Sequence, residues 1–167
     1  YHTNFNLGNL LRKMGRNDRA IVAYQRAIQQ EPERAEAHYN LANCYWDQSQ
    51  SQTAASHYEK ALTADPDAAV AGLAHLRLGS VRLVEKSYEK AEVHLLEALR
   101  READSFMANY CLALVYLDMP SEEPKWMLPA KALLHAQKAT ELRPADEDAR
   151  DIAQIALAAF EKAKPPE

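Results

Sequence analysis

The chain has 167 residues, 47% of them hydrophobic and 26% charged, with a formal net charge of -4. That is enough for one domain with a real core or one short repeat array. It leaves no strong field to draw the chain to nucleic acid and no apolar run that could span a bilayer.

Only four glycines occur, and alanine is plentiful, which favours helices. The first predicted pair spans 2–14 and 18–31. It carries Leu7 and Gly8, then Ala20, Tyr24 and Ala27, and closes on Pro32. Gly15 can take the left-handed conformation that ends a first helix, and Asn17 and Asp18 are expected N-caps for the next. The second pair, 35–48 and 52–64, repeats the same chemistry 34 residues on: Leu41, Ala42, Ala54, Tyr58, Ala61 and Pro66. Proline disfavours helical geometry in the residue before it, so Pro32 and Pro66 are expected to stop the second helices.

The third pair, 69–85 and 88–101, carries Leu78, Gly79, Ala91 and Ala98, offset by 37 after a three-residue insertion. Leu95 stands at the tyrosine position and Ala103 at the proline. The fourth pair, 105–117 and 129–142, carries Leu112, Ala113, Ala132, Ala136, Ala139 and Pro144, with seven residues inserted between its helices. A ninth helix, 146–162, places Ala149, Ile152, Ala153, Ala156, Leu157 and Phe160 on one stripe. It suits the terminal cap that a repeat array requires. "KPPE" after it is expected to be a linker or tail.

Small residues recur because a large side chain would hold two crossing helices apart. The pattern is similar to the tetratricopeptide repeat family, whose signature is W-x2-L-G-x2-Y, then A-x3-F, then P, at a period of 34. The resemblance covers about residues 1 to 144. It departs at the Trp place, where His38, His75 and Asn109 stand. It implies an all-α, right-handed α-solenoid of four helix-turn-helix units, 1–34, 35–68, 69–105 and 106–146. A capping helix, 147–163, and a tail, 164–167, would follow.

The residues point to no catalysis. There is no Gly-rich phosphate loop, HExxH or nucleophile elbow, and no cofactor or metal is expected. His57, His94 and His135 occupy equivalent places on successive second helices, each three residues after its marker alanine. Equivalent places in stacked hairpins lie roughly 8–10 Å apart or more, too far for shared zinc coordination. They are expected to be semi-exposed residues that the repeat tolerates. Cys44 and Cys111 are expected to be buried thiols.

In this family the first helices line a concave surface where partners dock. The resemblance therefore assigns partner contacts to Phe5, Asn6, Asn9, Arg12 and Lys13 in the first unit. It assigns Tyr39, Asn40, Asn43 and Trp46 in the second, Leu73, Leu76, Arg77 and Leu83 in the third, and Tyr110 and Leu114 in the fourth. The amides resemble the asparagine ladder of O-linked N-acetylglucosamine transferase, and can grip an extended backbone as donor and acceptor. Asn9, Asn40 and Arg77 also resemble part of the carboxylate clamp of cochaperones. Its two lysine places are Phe5 and Leu73 here, which argues against binding chaperone tails. The third and fourth units present an apolar lining that marks either a binding surface or a face covered by the insertion from Asp118 to Lys131.

The expected function is thus a protein-interaction scaffold binding a peptide or amphipathic segment, without nucleic-acid binding or membrane insertion. A self-assembling unit joined through the apolar groove and a regulatory arm of a larger enzyme are the alternatives. The chain begins at Tyr1 rather than Met, so it is expected to be a fragment or a processed form, and its compartment stays open, with the cytoplasm favoured.

Overall fold

The computed structural model describes residues 1–65, 69–120 and 124–164. Those residues form nine α-helices and no strand. They are α1 (His2–Lys13), α2 (Asn17–Gln30), α3 (Ala35–Asp47), α4 (Ser51–Ala64), α5 (Ala71–Val84), α6 (Tyr88–Arg101), α7 (Phe106–Asp118), α8 (Met127–Leu142) and α9 (Glu147–Ala163). They fall into two compact units, Tyr1–Val81 and Arg82–Glu167.

In the N-terminal unit each second helix lays an alanine and tyrosine stripe on the first helix that follows. Ala20 and Tyr24 of α2 pack with Leu41 and Cys44 of α3. One repeat on, Ala54 and Tyr58 of α4 pack with Leu78 and Val81 of α5. Within the first hairpin, α2 also crosses α1 at Gly8. A Cβ placed there would lie 2.6 Å from Tyr24 Cε1, so the bare glycine lets the ring close the crossing.

The turns between first and second helices also repeat. Gly15 lies at φ 71°, and its equivalents Ser49 and Lys86 lie at 61° and 57°. In the first turn the Gly15 N–H donates to Arg12 O and the Arg16 N–H to Leu11 O, both at 2.9 Å. Ser49 with Gln50, and Lys86 with Ser87, make the same two bonds. The shared bonding satisfies the last carbonyls of each first helix. L-residues tolerate this conformation poorly, so Ser49→Gly and Lys86→Gly should each stabilise the chain by about 0.5–1 kcal/mol. A raised urea midpoint checks it; an unchanged or lowered midpoint refutes it. The expected caps of α2 are corrected here: Arg16 is its N-cap, without a side-chain bond, and Asn17 is already its first residue. The two bonds of the Gly15 turn bring the chain into the helix one residue early.

The C-terminal unit is built around α7, which is buried on most sides: Ala108, Asn109, Cys111, Leu112, Ala113, Val115 and Tyr116. Its neighbours are α6, α8 and α9. A helix enclosed this way has to be apolar almost all round. Helix α8 begins at Met127, two residues before the expected start at 129. Pro129 sits in its first turn, where no intrahelical N–H is needed. Helix α9 is capped by Asp146, whose Oδ1 accepts the Ala149 N–H at 3.0 Å. Its Ala149, Ile152 and Ala156 are buried, but Leu157, assigned to the same stripe, is 46% exposed. One residue beyond Ala156 turns 100° around the helix, which carries Leu157 off the packed face. Helix α5 starts at Ala71 rather than 69. Pro66, the prolines of "KPPE" and residues 121–123 of the insertion lie outside the described residues.

Candidate protein-interaction site

The residues assigned to partner contacts divide between the two units. In the N-terminal unit they rest on a motif used twice. The Tyr24 hydroxyl donates to Asn9 Oδ1 at 2.8 Å, and the Tyr58 hydroxyl donates to Asn43 Oδ1 at 2.7 Å. Phe5 lies 6.0 Å from the Tyr24 ring centre, and Tyr39 lies 5.7 Å from that of Tyr58. The two pairings of the first repeat thus recur in the second at the 34-residue spacing. Burial pushes the Tyr24 hydroxyl up to about 12, with the nearby Cys44 thiol adding and Arg12 opposing. Burial raises Tyr58 as well. Both hydroxyls therefore stay protonated and remain donors at neutral pH.

That bond fixes which way each amide faces. With Oδ1 held by tyrosine, the NH2 groups of Asn9 and Asn43 turn away from the ring. Asn40 Nδ2 also donates to Asn9 Oδ1, at 3.0 Å, so the amides of α1 and α3 are joined. Asn43 is buried, whereas Asn6 and Lys13 are exposed. Arg12 reaches Asp47 across the same two helices at 3.9 Å. Trp46 is half-buried against the α3–α5 core. On α5, Leu73 and Arg77 are exposed and Leu76 is half-buried.

The tyrosine–asparagine pairing was open to inspection in the sequence through a matched change. Where Leu95 and Ala136 replace the tyrosine, Ser80 and Leu114 replace the asparagine. Once the buried hydroxyl is gone, no acceptor is needed for it.

In the C-terminal unit, Leu83, Tyr110 and Leu114 are half-buried. Tyr110 stacks on Phe106 at 5.8 Å, and the Arg143 guanidinium lies 4.2 Å above that Phe106 ring. Burial raises the Tyr110 hydroxyl, and Asp148 of α9 adds to it. Beside Leu117, the insertion residues Pro124, Lys125 and Leu128 meet Ala159 of α9 around a cavity of about 240 Å³. The described part of the insertion therefore packs at the C-terminal end of α7.

His57 and His135 of the second helices are half-buried and held from two sides. His57 lies between Tyr45, at 5.4 Å, and His38, at 5.8 Å, with both rings nearly parallel to its own. His135 stacks on Tyr116 at 5.8 Å, and its Nδ1 lies 2.8 Å from Asn109 Oδ1. His38 and Asn109 both stand at the family's Trp place, so that departure and the recurring histidine belong to one contact. Burial, then Lys60 and His38, push His57 down to about 4. Burial also lowers His38, although its Nε2 donates to Pro32 O at 3.0 Å.

A histidine depressed in the fold stays neutral there while its unfolded counterpart takes a proton. Its stabilising contribution is complete above about 6.5 and is lost as pH falls from there to about 4. After allowance for solvent screening, His57 should account for a loss on the order of 1–2 kcal/mol. Thermal melting at pH 7.5 and 4.5 checks this. His57→Gln should show the smaller drop, and an equal drop would refute the assignment.

Among the described residues, no group of three or more His, Cys, Asp and Glu is placed to hold a metal ion. No described helix is long and apolar enough to cross a membrane. Cys44 and Cys111 are buried, and neither forms a disulfide.

Antiparallel helix hairpins closed by small residues, with each second helix seated on the next first helix, define a helical-repeat scaffold. Residues 5–69 match the family model described as Tetratricopeptide repeat, and the fold is an all-α solenoid. Among solved structures it is similar to YrrB, described as a TPR protein with an unusual peptide-binding site. The two are 23% identical over 96% of this chain and 78% of that one, with a TM-score of 0.79. It is also similar to MamA 41-end from Desulfovibrio magneticus RS-1, at 21% identity over 97% of this chain and 92% of that one, with a TM-score of 0.77. A third similar structure is the APC/C hetero-tetramer Cut9-Hcn1, at 21% identity and a TM-score of 0.76. There the match covers 92% of this chain but 29% of the other. No curated protein sequence matches the chain significantly. The fold is one that serves as a protein-interaction scaffold.

Proposed function

We propose that the first helices of the N-terminal unit bind an extended peptide segment of a partner protein. The observation that carries this reading is the pair of tyrosine bonds that occupy Oδ1 of Asn9 and of Asn43, which leaves their NH2 groups as the donors that tyrosine does not use. Preorganised amides lose little freedom when they donate to a peptide carbonyl, whatever its side chains. Exposed Asn6 and the Asn40 amide lie on the same two helices. Half-buried Phe5, Tyr39 and Trp46 offer apolar anchors there. Arg12, Lys13 and Arg77 favour an acidic flank on the peptide. YrrB, described as carrying an unusual peptide-binding site, gives this reading a precedent within the fold.

In the C-terminal unit, Leu83, Tyr110 and Leu114 are proposed as apolar contacts for the same class of partner. Selection of a random peptide library on the purified chain tests the proposal. Enriched peptides should carry acidic residues and lose about tenfold or more in affinity to Asn40→Ala with Arg77→Glu. Enriched peptides indifferent to both substitutions, or no enrichment at all, would refute it.

A further inference from the structure

Helix α7 carries an apolar stripe that internal packing does not use up. Met107, Tyr110, Leu114 and Leu117 follow one another at helical spacing and so share a face. Met107 is 44% exposed and the other three are half-buried, while Ala108, Leu112 and Val115 are fully buried. The helix lies inside the array, with α6 on one side and α8 and α9 on the other, so the stripe is not an end face. It occupies the places that carry amides in the N-terminal unit. Leu114 stands where Asn9 and Asn43 stand, and Cys111 where Asn6 and Asn40 stand. Along the stripe only Tyr110 carries a hydroxyl, amide or charge.

We infer that this face of α7 binds an amphipathic helix of a partner protein, with its apolar side on the stripe and basic residues beside α9. That binding rests on the apolar contacts proposed above for Tyr110 and Leu114. The missing amides decide between a helix and an extended chain. An extended segment laid on Leu114 and Cys111 would lose water from its backbone N–H and C=O groups and find no partners for them. A helix bonds its own backbone and presents side chains, so it can be desolvated there without that cost. From Met107 to Leu117 the stripe runs about 15 Å, roughly three helical turns.

Charge fixes the chemistry of the partner. Near the start of α9, Asp148 and Asp151 are exposed, and neither has an ion-pair partner among the described residues. The cations close by are engaged. Arg150 meets Glu147 at 3.8 Å, and the Arg143 guanidinium lies above the Phe106 ring. The acidic field reaches the stripe itself. Burial raises the Tyr110 hydroxyl first, and Asp148, Cys111 and Asp146 then push it the same way. Lysine or arginine on the flank of the bound helix would therefore meet unpaired carboxylates at the Tyr110 end of the stripe. The N-terminal unit, with Arg12, Lys13 and Arg77, favours the opposite charge.

The probe is a labelled peptide of about 15 residues made of Leu, Ala and Lys, with leucines along one side and lysines on the flanks. Fluorescence anisotropy with the whole chain should show binding that weakens with added salt. Circular dichroism of the mixture should show helix gained by the peptide. Glutamates in place of the lysines should weaken binding about tenfold or more. Two prolines in mid-sequence, which prevent the helix, should do the same. Met107→Lys should weaken it about fivefold or more and leave the fold intact, because that side chain is exposed. Asp148→Lys with Asp151→Lys should reverse the preference towards the glutamate peptide. Asp151 stands past the first turn of α9, so Asp151→Lys alone shows the same direction if the pair disturbs the helix start. No binding of the lysine peptide overturns the inference. So does equal binding of the proline peptide, which would mean an extended segment. Indifference to Met107→Lys and to the charge reversal overturns it as well, since only general attraction to an acidic chain would remain. Asn40→Ala with Arg77→Glu should leave the helix affinity unchanged, which separates failure here from failure of the extended-peptide site. A loss of helix affinity in that variant would overturn the assignment to α7.

Discussion

Tyr58→Phe is expected to destabilise the chain by about 1–3 kcal/mol, although only one oxygen is removed. Tyr58 is fully buried, and its hydroxyl is the 2.7 Å donor to Asn43, which is itself 7% exposed. Removing the hydroxyl leaves a buried amide oxygen without its partner, and that desolvated acceptor dominates the cost. Asn43→Leu should cost a similar amount, because it strands the tyrosine hydroxyl instead. The two together should cost much less than their sum, with a coupling of about 1 kcal/mol or more. The third repeat has made such a double change, with Leu95 and Ser80 at the two places. Urea denaturation of the wild type, both single variants and the double variant measures the coupling. Additive losses would show that the bond carries no net stability. They would also weaken the case for a preorganised amide, since an unneeded bond would not hold its orientation.

Gly8→Leu is expected to cost about 2–3 kcal/mol and to disturb the first hairpin well beyond the substituted residue. The Tyr24 ring fills the space a side chain would need, with its Cε1 and Cδ1 atoms 2.6 and 2.7 Å from the site of a Cβ. Moving the ring lengthens its 2.8 Å bond to Asn9, and Asn9 also accepts from Asn40. A steric change at one glycine is thereby passed to the amide pair joining α1 and α3. Gly8→Ala should be far milder, because the second repeat seats Tyr58 beside Ala42 and so shows that this crossing accepts one methyl group. A graded series at position 8, followed by urea midpoint and by affinity for a selected peptide, separates the two effects. If Gly8→Leu left stability unchanged, the close crossing would have relaxed at no cost, and the packing account would be wrong.

Much of the architecture is legible in the order of residues. Small side chains at fixed spacing mark where helices cross, and the observed helix ends fall within two residues of those inferred from them. The 34-residue period made this possible, because each crossing supplied an independent copy of the same constraint. Local signals failed where two of them competed. At the start of α2 the capping preference of Asn17 and Asp18 gave way to the backbone bonds of the Gly15 turn. At Ser49 and Lys86 nothing in side-chain preference announces a left-handed residue, yet the repeat imposes one.

The candidate site was legible by address but not by orientation. The asparagines stand out as polar residues recurring on first helices, and the family pattern assigns those places to a partner. Asn9 and Asn43 first satisfy Tyr24 and Tyr58, and that engagement determines which atoms remain to face a ligand. The histidines follow the same logic. Their recurrence was visible, but their seating between Tyr45 and His38, or between Tyr116 and Asn109, joins residues far apart in the chain.

By itself the order of residues determined the helices, their pairing into hairpins and the small-residue crossings, because those depend on periodicity and side-chain volume within one repeat. Tertiary structure alone decided which polar groups are consumed inside the protein and which are left to face outward. A hydrogen bond depends on distance and direction between groups that meet only when successive helices have packed.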